Sequence, residues 1–135
     1  MRRGHLDAIG ALYKAISRRD FEALRSHPAV HPDFAWQSAP EEPDTGVRRG
    51  TESALAHSND LFEAFDRIQI EIEREIDLGP EAAILLVSMR VRGAASGADA
   101  ERREAHLWTA RNGRLESLRE FSTLDEAMAA ARSSA

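Results

Sequence analysis

Hydrophobic positions in the first half of the chain follow helical spacing. Leu6, Ile9, Tyr13 and Ile16 are three or four residues apart, so they share one face of an amphipathic helix. After this helix, the capping residues Asp20 and Thr51 and the proline Pro28 mark the ends of shorter elements. The predicted elements of this half are a helix over residues 5 to 18, a short helix from Phe21 to Ser26 with Asp20 as its N-cap, a strand over residues 30 to 38, a polar loop over residues 39 to 50, and a third helix from its N-cap Thr51 to about Phe65.

From Arg67 onward the hydrophobic period changes to two, which indicates β-strands. Asn112-Gly113 predicts a two-residue hairpin turn. Thr123 with Glu126 predicts a capping box at the start of an alanine-rich helix. The predicted elements of this half are a strand from Arg67 to the turn at Gly79-Pro80, a strand over residues 82 to 92, a loop from Gly93 to Ala100, a strand from about Arg103 to Arg111, a strand from Leu115 to Phe121, and the final helix.

This order of elements predicts one α+β domain that spans residues 1–135. Strands joined by hairpins form a largely antiparallel sheet, and the helices must cover its apolar face. The chain has 135 residues, of which 42% are hydrophobic and 30% are charged, as is typical of a globular domain.

Composition and motif content exclude several classes of function. The chain has no cysteine, which excludes disulfides, thiolate metal sites and a cysteine nucleophile. The net charge of -5 argues against nucleic-acid binding, and no apolar run is long enough for a membrane span. We therefore expect a cytoplasmic protein. No two histidines are spaced as metal ligands on one helix, and the sequence has neither a calcium-binding loop nor a phosphate-binding glycine loop. We therefore expect neither a metal nor a cofactor.

Short segments spread over nearly the whole chain occur in a specific order. They are Leu12-Tyr13, Arg18 to Leu24, Pro32 to Trp36, Arg49 to Glu52, Arg90 to Gly93, His106 to Thr109, Asn112 to Leu115, Glu120-Phe121 and Asp125 to Ala127. Together they resemble the SnoaL-like branch of the nuclear-transport-factor-2-like superfamily. The resemblance implies a cone-shaped roll, in which a curved mixed or antiparallel sheet wraps around N-terminal helices and a central pocket, often with homodimerisation through the sheet. This superfamily includes isomerases, polyketide cyclases, hydrolases, dehydratases and binding proteins, so the fold does not determine the activity.

Strand alternation sorts the polar residues into faces, and the resemblance implies which faces line the pocket. We expect His106 to be a general acid/base, Glu120 to orient it, and Arg90 to hold a carboxylate or enolate. The alternative is a structural network in which these three side chains only satisfy one another. The expected ligand-binding residues are Tyr13, Trp36, His57, Leu86, Ser88, Trp108 and Leu118.

Comparison with ketosteroid isomerase, a member of this superfamily, limits the expected mechanism. That enzyme uses a carboxylate base on its first strand and an oxyanion hole of a tyrosine and a protonated aspartate. Here the base position falls near Gln37-Ser38, the tyrosine position at Leu12 or Tyr13, and the aspartate position at His106. Steroid isomerisation by that mechanism is therefore not expected. Polyketide cyclases of the SnoaL type use an aspartate on a late strand, for which only His106 or Glu120 could substitute.

Three functions remain open. The first is a cofactor-independent acid/base enzyme that acts on a small hydrophobic oxygenated molecule, such as a cyclic ketone or a polyketide fragment. The second is a non-catalytic protein that binds such a ligand. The third is an interaction module whose cavity is collapsed around Trp36, Trp108 and Leu86. The alternation of Ala83, Leu85, Val87 and Met89 away from the expected pocket face predicts a covered outer face, and hence a homodimer under any of the three.

Overall fold

The computed structural model describes residues 1–39 and 46–133, and only the backbone of Phe62. Residues 40–45 of the predicted 39 to 50 loop therefore lie outside the described residues. The elements are α1 (Arg3–Ser17), α2 (Ala23–Ser26), β1 (Val30–Gln37), β2 (Val47–Arg49), α3 (Thr51–Ala64), β3 (Phe65–Asp77), β4 (Ala82–Gly93), β5 (Asp99–Arg111), β6 (Arg114–Phe121) and α4 (Leu124–Ser133).

Several predicted boundaries are wrong for identifiable reasons. The end of the predicted polar loop is the strand β2, in which Arg48 pairs with Trp36 of β1. The N-cap of α3 is Gly50 with φ 88°, not Thr51, because the chain turns there through a conformation that suits glycine. No side chain caps α2, so Asp20 is not its N-cap. The strand β5 begins before Arg103, at Asp99, which pairs with Arg92.

The six strands form one curved, open sheet in the order β2-β1-β6-β5-β4-β3. Every neighbouring pair is antiparallel except β1 and β6, which are parallel, so the sheet is mixed. The predicted cone-shaped α+β fold is confirmed. The hairpin between β5 and β6 turns at Asn112 and Gly113, whose φ values of 53° and 80° are both positive, as a two-residue hairpin turn requires. Thr123 accepts a hydrogen bond from the backbone N–H of Glu126, which confirms the predicted cap of α4.

The sheet is covered on both faces. Its inner face packs on α1, where Ile9 and Leu12 meet Leu85 and Val87 in one buried cluster. Each such side chain stabilises the fold by about 1.5–3 kcal/mol through its burial. The helix α4 covers part of the outer face, where the buried side chains are Ile84, Ala105, Leu107, Phe121 and Ala127. Within residues 1–39 and 46–133, no helix combines the length and the hydrophobicity needed to span a bilayer.

The predicted faces of β4 are wrong. Leu85 lies opposite His106 and Val87 lies opposite Glu104, so the odd-numbered residues of β4 face α1 and the cavity instead of the outside. The prediction of a homodimer relied on these residues forming a covered outer face. It therefore loses that support.

Candidate functional site

A cavity of about 130 Å³ lies between the inner sheet face and the helices α1 to α3. Its walls are mainly aliphatic and aromatic, and they include both tryptophans and the only tyrosine of the chain. The other polar side chains that line it are Ser38, His57, Arg102, Glu104, His106 and Glu120. The site is thus a mainly apolar cavity with a small number of polar groups, as is usual for small-molecule sites.

Strand alternation and register assemble the polar wall. On β5, Arg102, Glu104, His106 and Trp108 are two residues apart and share the inner face. On β6, Glu120 lies opposite His106 and Leu118 lies opposite Trp108. On β1, Trp36 lies opposite Leu118, which places it one strand further along the same wall. The helix α1 packs over this surface and contributes Tyr13.

Four side chains form one line of hydrogen bonds along the cavity wall. Trp108 Nε1 lies 2.8 Å from Tyr13 Oη, which lies 2.7 Å from His106 Nδ1, and His106 Nε2 lies 2.8 Å from Glu104 Oε1. An indole N–H can only donate and a carboxylate can only accept, so these two ends give the line its direction. With a neutral His106, Trp108 donates to Tyr13, Tyr13 donates to Nδ1, and Nε2–H donates to Glu104. This assignment of hydrogens follows from the network.

A second carboxylate and a guanidinium complete the group. Glu120 Oε2 lies 3.5 Å from His106 Nε2, and Arg102 Nε lies 2.9 Å from Glu104 Oε2. The side chains of His106, Glu104 and Glu120 are 1%, 2% and 11% exposed, whereas that of Arg102 is 43% exposed. The buried carboxylate of Glu104 and the partly exposed carboxylate of Glu120 thus lie beside the half-exposed guanidinium of Arg102.

Burial raises the pKa of the Tyr13 hydroxyl well above its ordinary value of 10.0. The hydrogen bond from Trp108 acts in the opposite direction, and the charges of Glu120 and Glu104 raise the pKa further. Tyr13 therefore keeps its proton throughout the physiological pH range and can act as a hydrogen-bond donor.

Glu104, His106 and Glu120 also offer one ligand atom each within 4.8 Å of one another. A divalent cation could bridge donors at this spacing, although no metal-binding motif is visible in the sequence, because the three residues come from two strands. In this geometry Glu104 Oε1 pairs with His106 Nε2, and Glu104 Oε2 pairs with Arg102 Nε. The observed contacts are hydrogen bonds and an ion pair among side chains of the chain itself.

Most of the residues expected at the site line the cavity, and three do not. Those that do are His106, Glu120, Tyr13, Trp36, His57, Trp108 and Leu118. Arg90, Leu86 and Ser88 are wrong as pocket residues, because the even-numbered residues of β4 face outward. Arg90 is exposed opposite Gln69 and Glu101, Leu86 packs in the α4 cluster, and Ser88 Oγ donates to Glu101 at 3.0 Å.

Three polar residues of the site, Ser38, Glu104 and Arg102, are absent from the expected set, and the last two belong to the hydrogen-bonded wall on β5. The signal for these two is present in the sequence, because they continue the alternation of His106 and Trp108 along β5. The network predicted from Arg90, His106 and Glu120 is replaced by one in which Glu104 and Tyr13 are the close partners of His106.

The sequence model of the SnoaL-like domain matches residues 9–118. The chain belongs to this family. No functionally curated protein is detectably similar in sequence to the chain. Similar solved structures share 11–20% of their residues with it, and at this level the likeness shows the fold alone.

Three of these structures illustrate the likeness. An NTF2-like protein of unknown function from Burkholderia pseudomallei is 20% identical, with a TM-score of 0.77 over 95% of this chain and 97% of that one. TerC, crystallised with polyporic acid, is 18% identical, with a TM-score of 0.74 over 92% and 95%. Rv0760c from Mycobacterium tuberculosis, in complex with estradiol-17β-hemisuccinate, is 17% identical, with a TM-score of 0.71 over 89% and 94%.

Proposed function

We propose that this SnoaL-like protein binds a small hydrophobic oxygenated molecule in the cavity and moves a proton to or from it without a cofactor. The observation that carries the proposal is the directed line of hydrogen bonds from Trp108 through Tyr13 and His106 to Glu104 in an otherwise apolar wall. Such a line of hydrogen bonds can pass a proton along, or its donors and acceptors can exchange roles, without exposing any of its side chains to water.

Two of the side chains have distinct roles in this proposal. When His106 carries a proton on both nitrogens, Nδ1–H donates to Tyr13, and the hydroxyl hydrogen of Tyr13 becomes available to a ligand oxygen. The carboxylate of Glu120 lines the same cavity and is partly exposed, so it can accept a proton from carbon, with the electron pair left on the enolate, and exchange that proton with solvent. A ketone held there would lose an α-hydrogen to Glu120 while its oxygen receives the hydrogen bond from Tyr13.

The relatives support the binding part of this proposal. The structures of TerC and Rv0760c, which have the same fold, hold polyporic acid and estradiol-17β-hemisuccinate. The cavity of this chain is small, about 130 Å³, and a cavity of roughly 150 Å³ holds one benzene molecule. We therefore expect a ligand with a single ring.

Deuterium exchange at the α-carbons of cyclohexanone tests the reaction, and the fluorescence of the two tryptophans tests the binding. We expect the protein in D₂O to accelerate the exchange measured by NMR. Glu120→Gln should slow it by about 10²-fold or more, and His106→Gln by at least about tenfold. Glu101→Gln is the matched control, because Glu101 lies on β5 but is exposed; its exchange rate should equal that of the parent protein.

The two measurements separate the candidate functions. Ligand-dependent fluorescence without accelerated exchange would indicate a non-catalytic binding protein. No fluorescence response to any small cyclic ketone would contradict the proposal as a whole. The interaction-module alternative is less favoured, because among the described residues Val47 is the one large hydrophobic side chain that is exposed, at 47%.

A further inference from the structure

The indole nitrogens of the two tryptophans differ in their partners. Trp108 Nε1 donates to Tyr13, whereas Trp36 Nε1 is buried and has no hydrogen-bond partner among the described residues. Trp36 as a whole is 5% exposed, and it lines the cavity. A donor that is hidden from water and also lacks a protein acceptor is rare in folded proteins, because its desolvation is not compensated.

The surroundings of Trp36 hold this donor in place. The ring of His57 on α3 packs edge-on against the indole, with the ring centroids 4.8 Å apart and an interplanar angle of 82°. Trp36 also lies two strands away from Trp108, which corresponds to roughly 10 Å between their backbones. Trp36 therefore brings a second polar group to the residues that line the cavity, separate from the Tyr13 and His106 end.

We propose that Trp36 Nε1 binds an acceptor oxygen of the ligand, so that the ligand is a neutral single ring with two oxygens on opposite sides. One oxygen meets Tyr13 and the other meets Trp36. The proposal rests on the proposed function in assuming that the cavity binds a ligand. A carboxylate ligand is disfavoured because Glu104 and Glu120 already face the cavity, whereas among the described residues that line it Arg102 is the one arginine or lysine.

A pair of ligands of matched shape tests this assignment. Cyclohexane-1,4-dione has both oxygens, and 4-methylenecyclohexanone replaces one of them with a CH₂ group of similar size. One neutral hydrogen bond changes affinity by about 2- to 12-fold, so we expect the dione to bind several-fold more tightly. In Trp36→Phe the ring remains aromatic but the N–H is lost, and the two ligands should bind equally.

The indole N–H signals of the parent protein give a second readout of the same contact. The two tryptophans produce two such signals in a nitrogen-15 NMR spectrum. The signal that disappears in Trp36→Phe belongs to Trp36. We expect this signal to move downfield with the dione and to move much less with 4-methylenecyclohexanone.

Each outcome has a definite meaning. Equal affinities and equal indole shifts for the two ligands would overturn the role of Trp36 while leaving the cavity as a binding site. Binding of 4-oxocyclohexanecarboxylate as tightly as the dione would overturn the preference for a neutral ligand. If neither of the matched ligands perturbs either indole signal, this proposal and the proposed function both fail.

Discussion

Replacing Tyr13 with phenylalanine removes the central member of the hydrogen-bonded line. The phenyl ring fills nearly the same volume, so the change isolates the hydroxyl. Two groups then lose their partner: Trp108 Nε1–H has no acceptor, and His106 Nδ1 has no donor. Trp108 and His106 are only 2% and 1% exposed, so water cannot replace the lost partner without entering the core.

The expected cost follows from these two orphaned groups. A buried polar group without a partner costs about 1–3 kcal/mol, and the hydroxyl that no longer needs desolvation returns about 1 kcal/mol. We therefore expect Tyr13→Phe to lower the free energy of unfolding by about 3 kcal/mol, within a range of about 1–5 kcal/mol. For a domain of this size the Tm should fall by roughly 10 °C.

A double-mutant cycle measured by urea unfolding and circular dichroism distinguishes this reasoning from a general packing defect. In the double variant Tyr13→Phe with Trp108→Phe, the indole donor is also absent, so the combined loss should be smaller than the sum of the single losses by about 1 kcal/mol or more. Thr109→Val is the control, because its hydroxyl pairs with Ser117 at a half-buried position that water can reach. Additive losses, or a Tyr13→Phe protein as stable as the control, would refute the network.

Three further predictions concern pH, charge and backbone conformation. Because the pKa of Tyr13 is raised, the folded state keeps a proton that the unfolded state loses above about pH 10, so stability should be complete below that pH and fall as the pH rises further. Tyr13 is the only tyrosine, so near-ultraviolet tyrosinate absorbance should rise only with unfolding; a rise while the circular dichroism is still native would contradict this. Glu104→Gln places an NH₂ group against a donor of His106 or Arg102, so the free energy of unfolding measured in urea should fall by about 2–4 kcal/mol. The control Glu101→Gln, at an exposed position, should lower it by less than about 0.5 kcal/mol. Gly113 has φ 80°, so Gly113→Ala should lower the free energy of unfolding by about 1–2 kcal/mol. In α1, no atom outside the helix's own nearby backbone lies within 4 Å of a Cβ added at Gly10, so Gly10→Ala should raise that free energy by about 0.5–1 kcal/mol. Equal effects of the two substitutions would refute the backbone argument.

The fold was predictable because local signals agree with the final structure. The four apolar residues of α1, the period of two after Arg67, and the Asn112-Gly113 turn each identify an element without reference to its neighbours. The short strand β2 was not predictable, because Val47 to Arg49 carries no apolar alternation of its own. It is a strand only through its pairing with β1.

The faces of β4 show why the site was only partly predictable. Both faces of this strand are apolar: Leu85 and Val87 pack on α1, while Ile84 and Leu86 pack in the α4 cluster. Alternation assigns such residues to two faces but cannot tell which one is inner. Only the pairing of Leu85 with His106 decides it, and that pairing depends on register, which the sequence of β4 alone does not encode.

The strand β5 carries the opposite pattern, and this pattern is the strongest functional signal in the chain. Its inner face holds Glu104 and His106, while its outer face, with Ala105 and Leu107, lies under α4. Burying ionisable groups where hydrophobic residues would fit is costly, and replacing such groups with apolar side chains of similar volume is often neutral or stabilising. Stability alone therefore does not account for a polar group at the wall of an apolar cavity. The hydrogen bond of His106 with Tyr13, which the fold brings from 93 positions earlier in the chain, is the contact that the proposed proton transfer requires.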